Sequence, residues 1–304
     1  MKNKSIYTKS ILLSAMLLES ALGIAASTSN WSFNLLPSVT YGSYSGSEQR
    51  DKFTDIGLMV SADYFGVGGL TLGVSNSKVI AQDNTNDFND VDQYNYVISG
   101  RKYFNLGPTS GTMTLRLDGH RINNDDNVSN TDDVSVIASQ VSWLSSDKLL
   151  YADLGYAHSK YKGNSAIHQF TPTISFGINN SYDWIRLRGY FIDGFDSTVT
   201  EGRSNTIALN GSWTHYFSPG HRLVPAHFTL GFSVGEKLTA VDMDALSVAN
   251  LADVNRGAIN LMLTWNVAKS TQLSVFAGQS FFRNLTTDDN YRLNVGYINL
   301  SINW

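Results

Sequence analysis

The sequence predicts an all-β protein, a closed antiparallel transmembrane barrel of about fourteen strands. Three observations predict it. Apolar residues recur at every second position in long runs, the runs are about 13–16 residues each, and the connections alternate between short turns and longer polar loops. The alternation is cleanest where Phe228, Leu230, Phe232 and Val234 are interleaved with Thr229, Gly231, Ser233 and Gly235. Successive strand side chains point to opposite faces, so one face of such a strand is greasy and the other small or polar. Soluble strands are most often about 5–6 residues long, whereas a tilted strand needs about 9–11 to cross a bilayer.

The predicted spans are 31–44, 50–65, 69–81, 91–104, 111–123, 133–145, 148–161, 165–179, 182–195, 203–217, 225–237, 255–267, 270–283 and 290–304. In the second, Ile56, Leu58, Val60, Ala62 and Tyr64 oppose Asp55, Gly57, Ser61 and Asp63. In the eighth, Phe170, Ile174, Phe176 and Ile178 oppose Thr171, Thr173, Ser175 and Gly177; Pro172 falls within it and predicts a bulge, because proline donates no ladder hydrogen bond. Ile259, Leu261, Leu263, Trp265 and Val267 make the apolar row of the twelfth, and Leu273, Val275, Ala277 and Phe281 that of the thirteenth. The last strand changes phase, from Tyr291, Leu293, Val295 and Tyr297 to Ile298, Leu300, Ile302 and Trp304; a second bulge or an apolar lumen would each account for it.

Short connections at 66–68, 105–110, 146–147, 180–181, 218–224 and 269 follow alternate strands, and longer polar ones at 82–90, 124–132, 196–202, 236–254 and 284–289 lie between them. An even strand count puts both chain ends on the short-turn side. Trp31, Phe65, Trp143, Trp184, Trp265 and Trp304 mark that side, and Tyr44, Tyr94, Tyr161 and Phe281 the other, as two interfacial aromatic levels would.

Before the strands, Lys2, Lys4 and Lys9 precede an apolar run from Ile11 to Leu18 and the small residues around Gly23 and Ala25. Residues 1–25 are therefore expected to be a secretory signal peptide, with the barrel occupying 26–304. Beyond residue 30 no stretch approaches 18 apolar residues, which excludes helical spans. The chain has no cysteine, so it has neither a disulfide framework nor a thiolate site. A net charge of -4 without basic clusters argues against nucleic acid.

The pattern as a whole resembles a Gram-negative outer-membrane β-barrel, similar to the small monomeric porins. The closing Ile298, Leu300, Ile302 and Trp304 resemble that class's terminal assembly signal, with Trp in place of the commoner Phe. The resemblance implies residence in the outer membrane as a monomer, contact with lipid and lipopolysaccharide, and delivery by a barrel-assembly machinery. It implies passive diffusion of small hydrophilic solutes, without a cofactor. Export of a secreted polymer such as an exopolysaccharide is the alternative, and an adhesive or structural envelope barrel a third.

Arginine on the lipid side at midplane costs roughly 2–4 kcal/mol, so Arg186 and Arg188 are expected inside. Extending this phase assigns Asp63, Arg101, Arg116, Asp118, His120, Asp153, Arg186, Arg188 and Tyr190 to a polar pore lining of mixed sign. Inward arginines on adjacent strands would then favour anions. The long connection 236–254 is expected to constrict the outer mouth, with a short helix over 244–251. The aspartate clusters 83/87/90/92, 125/126/132/133 and 288/289 lack EF-hand spacing, and no metal is assigned to them. Enzymatic activity is not expected. His158 and Ser159 are adjacent and point to opposite faces, and His120 with Asp118 reads as lumen lining.

Overall fold

The computed structural model describes residues 30–82, 89–125, 131–162, 165–195, 205–218, 223–249, 253–285 and 287–304. The expected leader, and Asp83, Asp87 and Asp126 of the acidic clusters, lie outside them. The first strands are β1 (Trp31–Ser45), β2 (Arg50–Tyr64), β3 (Gly68–Ala81), β4 (Val91–Asn105) and β5 (Thr112–Asn124). They are followed by β6 (Val134–Leu144), β7 (Leu150–Lys160), β8 (Ala166–Ile178), β9 (Asp183–Phe195), β10 (Asn205–Tyr216) and β11 (His227–Lys237). Two short strands, β12 (Val241–Asp242) and β13 (Ser247–Val248), precede β14 (Asp253–Ala268), β15 (Thr271–Asn284) and β16 (Asn290–Asn303). Fourteen of them close into one antiparallel barrel, each paired with its neighbour in sequence except where β11 meets β14 and β1 meets β16; β12 and β13 pair only with each other. Every predicted strand is present, with ends displaced by at most two residues.

Closure is complete at the seam. The first and last strands run in one register from Asn34 opposite Asn303 to Ser45 opposite Arg292. Phe33 and Trp304 exchange backbone hydrogen bonds of 2.9 and 3.1 Å, and their rings stack at 6.0 Å. No edge is left to face hydrocarbon, where each unpaired backbone group costs several kcal/mol.

The outward face is apolar on all fourteen barrel strands. Val39, Leu58, Leu72, Ile98, Leu117, Ile137, Leu154, Ile174, Leu187, Ile207, Leu230, Ile259, Phe281 and Ile298 are all exposed. A soluble monomer rarely shows a contiguous apolar patch beyond a few hundred Å². A belt that runs around the whole molecule needs a lipid solvent.

Two expected irregularities resolve differently from the prediction at β8 and as one of its two options at β16. Pro172 makes no bulge: β8 keeps one register against β9 on either side of it, Phe170 opposite Phe191 and Thr173 opposite Arg188, so the ladder is interrupted without an inserted residue. Gly189 lies across from the ring and leaves it room. In β16 the register is also unbroken. Its phase change is an apolar lumen face, with Tyr291, Leu293, Val295 and Tyr297 turned inward and Ile298 outward.

Candidate solute cleft and its inturned strap

Seven of the nine expected inner-wall residues stand in ion pairs. Arg101 Nε donates to Asp63 Oδ1 at 2.9 Å and its second nitrogen pairs with the other oxygen; Tyr103 adds a hydrogen bond at 2.9 Å. Arg116 Nε lies 2.9 Å from Asp118 Oδ1. Arg188 reaches Asp244 at 2.7 Å and both Asp153 and Asp242 at 3.5 Å, and Arg186 reaches Asp244 at 2.8 Å. Tyr190 is buried beside them and lies under the Lys237 ammonium, 4.9 Å from ring centre to Nζ. His120 is buried, with no hydrogen-bond partner for Nε2 and none shared with Asp118. His158 faces out against His168, 4.7 Å between ring centres, while Ser159 is buried inside.

These pairs remove the premise of the expected anion preference. Each arginine assigned to the wall stands against a carboxylate, so the positive charge is largely cancelled where a solute would meet it. Three of the pairs depend on Asp242 and Asp244, which belong to no barrel strand.

Both carboxylates sit on the segment 238–249, which turns into the lumen. No helix forms there; β12 and β13, two residues each, pair as a small hairpin, and Leu246 takes a φ of 51° in the turn between them. Its backbone is strapped to the wall. Gln169 gives 2.7 Å to the Val241 carbonyl and accepts from the Val241 N–H at 2.9 Å, and Arg116 donates to the Met243 carbonyl. Gly155 is the socket for Met243, whose sulfur and methyl would collide with any side chain at that position.

Apolar contacts reinforce these straps. On strands β5 to β9, Ile122, Val134, Val136, Ala138, Ala157, Ile167 and Ile192 face inward and form one buried cluster with Val241 and Met243. The expected polar lining is therefore joined on this side by an apolar one. Strand β6 is greasy on both faces, with Val136 1% and its neighbour Ile137 62% exposed. One faces lipid and the other is covered by the strap.

Opposite the strap the lumen stays open as a cleft of about 440 Å³ between residues 245–249 and the wall of β1 to β5, with Leu293 and Tyr297 contributed by β16. A hydrogen-bonded ladder of side chains crosses it. Asn124 gives 3.4 Å to Gln93, Gln93 gives 2.9 Å to Asn95, Asn95 gives 3.3 Å to Ser77, and Ser77 gives 2.5 Å to Asp55.

A second buried cluster went unpredicted. Arg50 of β2 pairs with Asp253 of β14 and donates 3.0 Å to Tyr291 of β16, whose hydroxyl gives 2.6 Å to Asp253. By parity alone both charged residues would face lipid. Register shifts between Arg50 and Lys52 and between Asn255 and Gly257 turn them inward.

Comparison with known proteins gives the same architecture. No family model matches the chain, and no curated protein matches it. Among solved structures, a bacterial polysaccharide outer-membrane secretin superposes over 90% of this chain and 98% of its own, with a TM-score of 0.52 at 10% identity. The fold is that of an outer-membrane β-barrel. The barrel also matches Omp33 of Acinetobacter baumannii, with a TM-score of 0.45 at 7% identity over 90% and 99% of the two chains, and the NanC porin, with 0.45 at 11% over 88% and 98%.

Proposed function

We propose that the barrel resides in the outer membrane as a monomeric, porin-like channel for passive entry of small solutes, with no catalytic step. The observation that carries this reading is the division of the lumen. One side is closed by the strap at 238–249, and the other keeps a polar-edged cleft of about 440 Å³. About eight strands leave an interior just filled by side chains and sixteen to eighteen an aqueous channel. Fourteen strands narrowed by an inturned segment fall between these limits, which suits solutes well below polymer size. Both chain ends then lie in the periplasm, the long loops meet the lipopolysaccharide leaflet, and the closing residues Ile298, Leu300, Ile302 and Trp304 serve the barrel-assembly machinery.

Export of a polysaccharide is the second reading, since the polysaccharide secretin shares the fold. It would require the strap to leave the lumen, against its backbone hydrogen bonds to Gln169 and its ion pairs with Arg186 and Arg188.

The test is conductance of the purified full chain in a planar bilayer. Discrete, salt-proportional current steps of one size are the expected result. A bilayer that stays silent after verified insertion overturns the channel.

A further inference from the structure

The lining of the open cleft selects its solute, an inference that rests on the channel reading above. Three observations bear on it. First, the cleft has an apolar floor. Met59 and Val97 lie across Gly73, where a side chain would strike both, and Phe53, Leu293 and the strap's Leu246 continue the greasy surface. The inward phase of β16 makes this possible, and it is unusual for a lumen that holds only water. Second, its polar edge runs in one direction. A carboxylate only accepts hydrogen bonds, so Ser77 must donate to Asp55; Asn95 then donates to Ser77, and Gln93 to Asn95. The edge ends on Asp55, whose other oxygen is left for a donor from the solute. Third, Asp55 has no cationic partner among the described residues, so its charge repels carboxylates.

We propose that this cleft binds an uncharged, hydroxyl-bearing solute with an apolar ring or face, of the chemical class of an aryl glycoside, and discriminates against the corresponding acid. The apolar part lies on Val97, Met59 and Leu293. A hydroxyl donates to Asp55. The volume falls in the range of about 300–1,000 Å³ typical of small-molecule sites, which combine a mostly apolar lining with a few convergent polar groups.

The experiment uses the full chain in lipid nanodiscs, with binding measured by titration calorimetry for three probes: phenyl β-D-glucoside, methyl β-D-glucoside and phenyl β-D-glucuronide. Phenyl glucoside is expected to bind about tenfold or more tightly than methyl glucoside, the ratio produced by burying one ring face. The glucuronide is expected to be the weaker of the two phenyl compounds. Asp55→Asn should narrow that last gap, and Val97→Ser should shrink the phenyl advantage.

Equal binding of the phenyl and methyl compounds by the unaltered chain overturns the apolar floor. Tighter binding of the glucuronide overturns the role of Asp55, and absence of binding for all three overturns the site. Bilayer currents from the same preparation keep the two readings apart. Current without selective binding removes the solute class and leaves the channel, whereas selective binding in a silent barrel upholds the cleft and removes the channel.

Discussion

Gln169 shows how much one side chain decides. Its amide makes a two-way contact with the Val241 backbone, 2.7 and 2.9 Å, inside a buried region. Gln169→Leu leaves a buried N–H and a buried carbonyl unsatisfied, each costing about 1–3 kcal/mol. The strap is expected to loosen while the barrel stays closed. Single-channel current should rise, and protease should cut within 238–249 at least several-fold faster. Current and cleavage both unchanged would mean that the apolar cluster and the arginines hold the segment unaided. Arg188→Met is a sharper lesion. It strands Asp153, which is completely buried at the side chain, and removing one partner of a buried pair costs about 3–5 kcal/mol. Thermal unfolding in detergent should begin at a clearly lower temperature, with partial recovery in the Arg188→Met, Asp153→Leu double variant. No recovery would show that the cost lies with the strap carboxylates.

At the scale of the element, the strands carry two solvents on two faces, and the period of two records it. The mid-strand residue Leu117 of β5 is 60% exposed, with Arg116 and Asp118 paired on the face behind it. Leu117→Arg puts a cation into hydrocarbon and should cost about 2–4 kcal/mol, read as a lower denaturant midpoint for the folded barrel in lipid. The same charge on the lumen side should cost far less. If the penalties match, the facing is wrong.

Turns contribute through backbone geometry. Gly111, between β4 and β5, has a φ of 85°, and a side chain there would lie 2.0 Å from the Leu144 carbonyl. Gly111→Ala should therefore destabilise by at least about 1 kcal/mol, measured by the same denaturation.

The element scale is also where reading by parity failed. Arg50 and Asp253 sit one position out of phase because the register shifts beside them, and a bulge has no fixed sequence sign. The strap did leave a trace. Ile122, Val134, Val136, Ile167 and Ile192 are apolar on the inward phase near the loop end, where a watery lumen would have no use for them. Such a cluster needs a cover, and the longest connection carries Val241 and Met243. The wall residues Asp63, Arg101, Arg116, Asp118, His120, Asp153, Arg186, Arg188 and Tyr190 could be placed on the inner face from alternation, but their partners could not. Asp242 and Asp244 lie far along the chain, and proximity through a loop has no period.

For the whole molecule, closure is the cooperative event, since the seam joins the first strand to the last. Removing residues 298–304 takes away the lower half of β16 and its pairing with Asn34, Leu35, Ser38 and Val39. The shortened chain should fail to give the compact, heat-sensitive form that a closed barrel shows in detergent electrophoresis. Normal compaction would mean that the seam can close on fewer pairs.

Strand number, strand ends and the facing of most residues were set by local chemistry. Each position along a barrel strand meets either lipid or the interior, and that choice is written in its own side chain and those two places away. The path of the inturned segment, the cancellation of the wall arginines and the shape of the remaining cleft were decided only by tertiary structure. The strap and the wall it binds join residues up to 127 positions apart whose attraction is short-ranged, so nothing near either partner in the chain announces the other.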